Sequence, residues 1–207
     1  MFIEESEMKK IVFASGNQDK VREVREMLEP LGYQVLSLKD MHLEVTHPED
    51  AETFEGNSRI KAEDIAGKCD YPVLSDDSGL SIDALNGFPG VYSARFMEGH
   101  DYTEKNEALL EMLRGKENRK ASYFTVITYI DKARGIEKSF PGENAGEIAL
   151  SQDTNPINGF GYDPIFYSYD LKKTFSQATP EEKDSVSHRG RALRDVVEFL
   201  KSLEEKE

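Results

Sequence analysis

The chain has 207 residues, with 26 lysines and arginines against 40 aspartates and glutamates, a formal net charge of −14 at pH 7. That length suits one domain with a buried core, 38% hydrophobic and 10% aromatic content exclude a disordered chain, and the acidic balance excludes an extended nucleic-acid-binding or anionic-membrane surface. No stretch nears the ~20 apolar residues of a bilayer span, residues 1–10 read as no secretory signal, and the single Cys69 excludes an internal disulfide framework and a thiolate zinc site, as expected in a reducing cytoplasm.

With no repeat and no Pro/Ser-rich linker, the chain reads as one continuous fold over residues 1–207. Residues 9–15 (KKIVFAS) are a short apolar run rich in β-formers and predict a buried strand. The run ends in a turn with an N-cap, so a helix follows with Val21, Val24 and Leu28 on one face, stopped by Pro30 and Gly32. A second helix is expected from about Thr53 to Gly67, with Glu52 and Glu55 near its positive end. Residues 71–75 form another buried strand opening into Asp76-Asp77-Ser78-Gly79, and Thr103 caps a third helix. Residues 121–131 and 135–140 read as a hairpin, with further strands over 144–150 and 162–167. Thr179-Pro180-Glu181-Glu182 starts a helix with a cap, a proline and a glutamate at the favoured positions, and Ser187 starts the last one. Strand–helix alternation, a β-rich middle and a helical end give an α/β fold with a mixed sheet flanked by helices.

Five segments carry chemistry-bearing residues. Ser15, Gly16, Asn17, Gln18, Asp19 and Lys20 form a strand-to-helix turn whose free N–H groups and lysine suit a phosphate. Their spacing fits neither a P-loop nor a dinucleotide fingerprint, and an ordinary capped turn is the alternative. Asp76 and Asp77 at a strand end repel each other unless a lysine or a divalent cation joins them. Hard oxygen ligands without thiolates point to Mg²⁺ or Mn²⁺, against the alternative of a surface turn. Residues 87–95, with Arg95, read as a glycine- and proline-shaped loop. In residues 159–164, glycines around Phe160 and Tyr162 leave ring faces open for a nucleobase, and Asp163 offers an acceptor; core aromatics at a strand-end turn are the alternative. Lys183, His188, Arg189 and Arg191 gather at a helix start, where cations are unfavourable unless an anion or an electron-rich base edge offsets them; a solvated cap is the plain reading.

Six ordered blocks, SGNQDK at 15–20, TFEGNSRIKA at 53–62, LSDDSGLSIDALNGFPGVYSAR at 74–95, FPGENAGEI at 140–148, GFGYDPIF at 159–166 and EEKDSVSHRGRAL at 181–193, together resemble the inosine triphosphate pyrophosphatase family. The resemblance implies a two-lobed, elongated monomer with a central nucleotide cleft, a homodimer, and Mg²⁺-dependent cleavage of ITP, dITP and XTP to a monophosphate and pyrophosphate, with Mn²⁺ as a possible substitute. It implies Ser15 to Lys20 as the phosphate-holding turn, Asp77 as the base that activates water and a metal ligand with Glu49, and Ser78 as a substrate contact. It assigns Phe160, Gly161, Tyr162 and Asp163 to the base, with Lys183, His188 and Arg189 reading its edge. Gly56 and Asp184 depart from the family pattern, where glutamate and asparagine are usual, and residues 1–8 precede the family core. A catalytically silent purine-nucleotide-binding module and a septum-inhibitor-type pyrophosphatase for pyrimidine or modified nucleotides are the competing readings.

Overall fold

The structure is a computed structural model that describes residues 8–205, so the expected N-terminal extension over 1–8 lies, save for Met8, outside the described residues. The elements are β1 (Lys9–Phe13), α1 (Gln18–Leu28), β2 (Tyr33–Ser37), α2 (Leu38–Met41), α3 (Phe54–Ala66), β3 (Val73–Ile82), α4 (Tyr102–Met112), β4 (Lys120–Asp131), β5 (Ile136–Ile148), β6 (Phe166–Ser168), β7 (Lys173–Thr174), α5 (Pro180–Val186) and α6 (His188–Glu204). The strands form one seven-stranded sheet in the order β2-β1-β3-β4-β5-β6-β7. β1 runs parallel to β2 and β3, whereas β6 is antiparallel to both β5 and β7, so the sheet is mixed, as the alternation of elements predicts.

Several element boundaries differ from expectation for physical reasons. β2 and α2 escape the sequence pattern because each is short: Tyr33, Val35 and Ser37 face inward in simple alternation, and Ser37 then caps α2 in a reciprocal box with Asp40. β3 does not open into a turn after residue 75. It continues through Asp76, Asp77, Ser78 and Gly79 to the buried Leu80 and Ile82, so the two aspartates lie inside a strand. Residues 144–150 are not a separate strand, because β5 runs unbroken to Ile148, and Asp163–Ile165 is a tight helical turn ahead of the short β6. α4 is capped by Asp101 with Glu104, two residues before the expected Thr103.

The chain forms two compact units, each assembled from more than one segment. The first comprises the chain up to Asp77, Val126–Pro141 and the segment from Ala192 onward; the second comprises Ser78–Thr125 and Gly142–Arg191. In the first unit β1 is buried on both faces. Ile11 and Phe13 pack with Val24, Leu74, Ile127 and Val196, and Val12 and Ala14 pack with Ile65 and Val73. The second unit closes around Leu80, Ile82, Leu109, Leu113, Phe166 and Phe175. Among the described residues no helix is long and apolar enough to cross a membrane.

Candidate active site

In the first unit the turn after β1 is built by its own side chains. Asn17 caps α1, its Oδ1 accepting from the Asp19 and Lys20 amides at 3.0 and 3.2 Å, and Ser15 Oγ accepts from the Asn17 amide at 3.1 Å. Gln18 donates back to the Gly16 carbonyl at 3.3 Å, and Asp19 pairs outward with Arg22 at 3.1 Å. Space beside Gly16 is open: a Cβ there would meet nothing within 4 Å. Lys20 turns inward and lies 3.0 Å from Asp76, a carboxylate only 1% exposed on β3. The lysine that the turn supplies therefore neutralises the first of the two aspartates.

Asp77, the second, is half-buried, and burial pushes its pKa up to about 6, with the neighbouring Asp76 charge adding to the rise. Lys61, Lys20 and a hydrogen bond from Asn57 oppose the rise without cancelling it. Asn57 is itself 1% exposed, and its Oδ1 accepts from the Ala51 amide at 2.9 Å. Lys61, the strongest opposing charge, also reaches Glu49 at 3.1 Å. Ser15, Gly16, Leu43, Val45, Glu49 and Lys61 line an open pocket of about 510 Å³. Glu49 rides on a loop fastened to α3 by Asp64, which accepts from the Thr46 amide at 2.7 Å, from Lys68 at 2.9 Å and pairs with His47 at 2.7 Å. Burial works against that carboxylate, yet its hydrogen bonds hold it well below the usual range.

Three of these residues, Asn57, Lys61 and Asp64, escape the sequence reading. They are spaced i, i+4, i+7, which puts them on one stripe of α3, and Lys68 follows just beyond its C-terminal end. A polar stripe on the face a helix buries was the available signal. Among the described residues there is no group of three or more His, Cys, Asp or Glu that could hold a metal ion. Glu49 and Asp77 instead offer hard oxygens beside a shared lysine. This donor set suits an ion that keeps waters and takes its remaining ligands from substrate phosphates, as Mg²⁺ does.

The second unit holds the other candidates. Asp163 is 2% exposed and fully engaged: Oδ2 accepts from the Phe160 amide and from Lys183, each at 2.8 Å, and Oδ1 from the Tyr123 hydroxyl at 3.2 Å. Gly159 and Gly161 have positive φ, and a side chain at Gly159 would collide with that carboxylate. Lys183 lies 4.4 Å from the centre of the Phe160 ring, which is half-buried and is the aromatic face this loop presents. Tyr162 turns the other way, buried against Tyr102 with its hydroxyl on the Ser93 carbonyl. His188 stacks on Tyr123, centroids 4.7 Å apart and planes 7° off parallel. Arg189 donates to Ser78 Oγ at 3.1 Å, and Ser78 in turn meets Thr125 at 2.9 Å.

Chain geometry explains why these cations sit together. Only Ser187 separates α5 from α6, its Oγ accepting from the Gly190 amide at 2.9 Å. A side chain at Gly190 would strike the Asp184 carbonyl, so glycine lets the two helices meet closely enough to present Lys183, His188 and Arg189 at one joint. Along the chain the two sets of residues are joined at Asp77 and Ser78, neighbours on β3.

The Ham1 family profile matches residues 11–199. The chain belongs to the Ham1 family. It is 41% identical over 206 residues to a dITP/XTP pyrophosphatase of Clostridium perfringens, covering 95% of this chain and 99% of that one. It is also 41% identical over 193 residues to one of Thermococcus kodakarensis, covering 93% and 97%. Among solved structures, the Ham1 protein of Staphylococcus aureus superposes with a TM-score of 0.83 at 37% identity, covering 94% of this chain and 99% of that chain. The Coxiella burnetii Ham1 protein gives 0.85 at 35% identity, covering 94% and 100%.

Proposed function

We propose that this chain hydrolyses the non-standard purine nucleoside triphosphates ITP, dITP and XTP to the monophosphate and pyrophosphate. The observation that carries the proposal is Asp77, a carboxylate that burial keeps basic to about pH 6, flanked by Lys20 and Lys61. A base of that strength deprotonates water far better than an ordinary carboxylate and is still ionised at neutral pH. Phosphoanhydride cleavage needs an oriented water and charge neutralisation more than covalent help, and Lys20 and Lys61, shared with Asp76 and Glu49, are the cations proposed to supply the neutralisation. The dITP/XTP pyrophosphatases of Clostridium perfringens and Thermococcus kodakarensis that the chain resembles support the substrate class.

Phe160 provides a stacking face, and Lys183, His188 and Arg189 provide donors for the 6-keto oxygen of hypoxanthine or xanthine. Against adenine's 6-amino group those donors would be left unpaired, which costs binding. Mg²⁺, or Mn²⁺ in its place, is proposed to bind Glu49 and Asp77, where it would neutralise phosphate charge and lower the pKa of a bound water. A single catalytic domain, a homodimer and a cytoplasmic location complete the proposal. The domain is supported by the profile match over 11–199, the dimer by the family resemblance, and the location by one cysteine and no disulfide.

The test is to incubate the purified protein with dITP, XTP, dATP, dGTP and dTTP, with and without Mg²⁺, and to separate the products. Monophosphate and pyrophosphate from dITP and XTP only with metal are expected; absence of turnover sinks the enzymatic reading, and preference for dTTP would favour the septum-inhibitor type. Asp77→Asn should lower kcat by at least about 10²-fold while nucleotide binding persists.

A further inference from the structure

Tyr123 lies on β4 among the core side chains of the second unit, 8% exposed, where an aromatic ring is enough to fill the space. Its ring is sandwiched between Phe175, parallel at 5.7 Å, and His188, parallel at 4.7 Å. Its hydroxyl reaches Asp163 at 3.2 Å, and Asp163 in turn holds the Phe160 amide and Lys183. One side chain therefore touches two of the residues to which base recognition is assigned, and reaches two more through one carboxylate.

We infer that Tyr123 is a positioning residue for nucleobase recognition: its hydroxyl fixes the Asp163 carboxylate that holds Phe160 and Lys183, and its ring fixes the plane of His188. A buried hydroxyl costs stability unless it is bonded, so a tyrosine used only as filler would be better replaced by phenylalanine. Burial and the Asp163 charge push the Tyr123 hydroxyl well above its ordinary pKa, so it stays protonated and remains a donor at any working pH. Asp163 has a stake in that donor. Its Oδ2 already serves two partners, and without the hydroxyl its Oδ1 loses the Tyr123 bond. The carboxylate is then free to rotate and release Phe160. Aromatic stacking adds a preference of its own for parallel His188 and Tyr123 rings.

The inference rests on the reading that this cluster holds the base, so the test separates the two. Binding of IMP is measured by calorimetry, and dITP turnover by steady-state kinetics, for the wild type, Tyr123→Phe, Asp163→Asn and the double variant. Tyr123→Phe keeps both ring stacks and removes only the hydroxyl. It should raise the IMP Kd and the dITP KM about three- to tenfold and leave kcat within about twofold, since the phosphate-side residues are untouched. The double variant should be no worse than Asp163→Asn alone, because the hydroxyl acts through that carboxylate. Tyr123→Leu, which also removes the stack on His188, should in addition narrow the kcat/KM ratio of dITP over dATP. An unchanged Kd in Tyr123→Phe, additive losses in the double variant, or a fall in kcat at constant KM would each overturn the inference. If the wild type binds IMP but turns over no dITP, the proposed activity falls and calorimetry still decides the role of Tyr123. If it neither binds IMP nor turns over dITP, both fall, and if it turns over dITP without binding IMP, the KM of Tyr123→Phe decides the role of Tyr123.

Discussion

At Asp77, the carboxylate that has to lose its proton sits where burial resists that loss. Because the base works deprotonated, kcat/KM should rise with pH as Asp77 ionises, and Mg²⁺ bound beside it should draw that rise below the metal-free value of about 6. The stability consequence has the opposite sign. A carboxyl whose folded pKa is raised stabilises the fold while protonated, and that contribution disappears as pH rises through about 6. At neutral pH, holding the ionised form costs the metal-free protein on the order of 3 kcal/mol. Asp77→Asn removes that cost, so its melting temperature should exceed the wild type's by several degrees at pH 7.5, with the gap closing near pH 4. Calorimetry at the two pH values checks it, and equal melting temperatures at pH 7.5 would refute the assignment. Lys61 is the strongest opposing charge, so Lys61→Gln should move the acid limb of the pH–rate profile to higher pH. It should also lower kcat/KM at neutral pH by roughly 10- to 100-fold, since the lysine is also a phosphate-neutralising group.

At the scale of elements, α3 organises the phosphate side. Asn57, Lys61 and Asp64 fasten respectively the Ala51 amide, Glu49 and Thr46, so the loop that carries Glu49 is tied to the helix at three successive points. Gly56 belongs to this contact. A Cβ there would come within 2.6 Å of the Ala51 Cβ and 3.1 Å of Thr53 Oγ1. Helix propensity alone says Gly56→Ala should stabilise by ~1 kcal/mol. The close approach says otherwise, and overpacking of about 1–3 kcal/mol should prevail, lowering the melting temperature. The displaced loop should also weaken Mg²⁺ activation, read as a rise in the metal concentration giving half-maximal rate. The departure from the family's glutamate at this position therefore has a packing reason that local sequence does not reveal.

The same elements show what was legible beforehand. Helix starts at Asn17, Thr53 and Thr179 were readable because caps act within three residues, and all three side chains accept the amides expected of them. The interior of β3 was not, because two adjacent aspartates favour a turn on local grounds. They stay in the strand because Lys20, 56 residues away in sequence, neutralises Asp76. Local sequence offers Asp163 as an acceptor for base or ribose, whereas in the structure it accepts from protein donors. Its bonds to Tyr123, Phe160 and Lys183 depend on contacts that no local window contains. Local rules thus gave the helix caps, and long-range charge and hydrogen bonding decided the rest.

For the molecule as a whole, a net charge of −14 and a pI of about 4.8 oppose any polyanion that spreads over the surface. The cations assigned to the substrate are few and local, with Lys20 and Lys61 in one unit and Lys183 and Arg189, beside His188, in the other. These two facts make a distinctive prediction about salt. A protein that binds a polyanion through many phosphate contacts loses about 10³–10⁵ in affinity between 50 and 200 mM salt. In the proposed site the triphosphate would meet Lys20 and Lys61, both largely withdrawn from solvent, where screening is weak, while the exposed acids that repel it are screened efficiently. The KM for dITP at fixed free Mg²⁺ should therefore change by less than about tenfold over that range. Duplex DNA labelled for fluorescence anisotropy should show no binding at 50 mM salt. A steep salt dependence of KM, or micromolar DNA binding, would mean that exposed cations outside these two clusters govern the encounter. A flat dependence together with DNA exclusion would show that a few local cations on an acidic chain suffice for the substrate without drawing in larger polyanions.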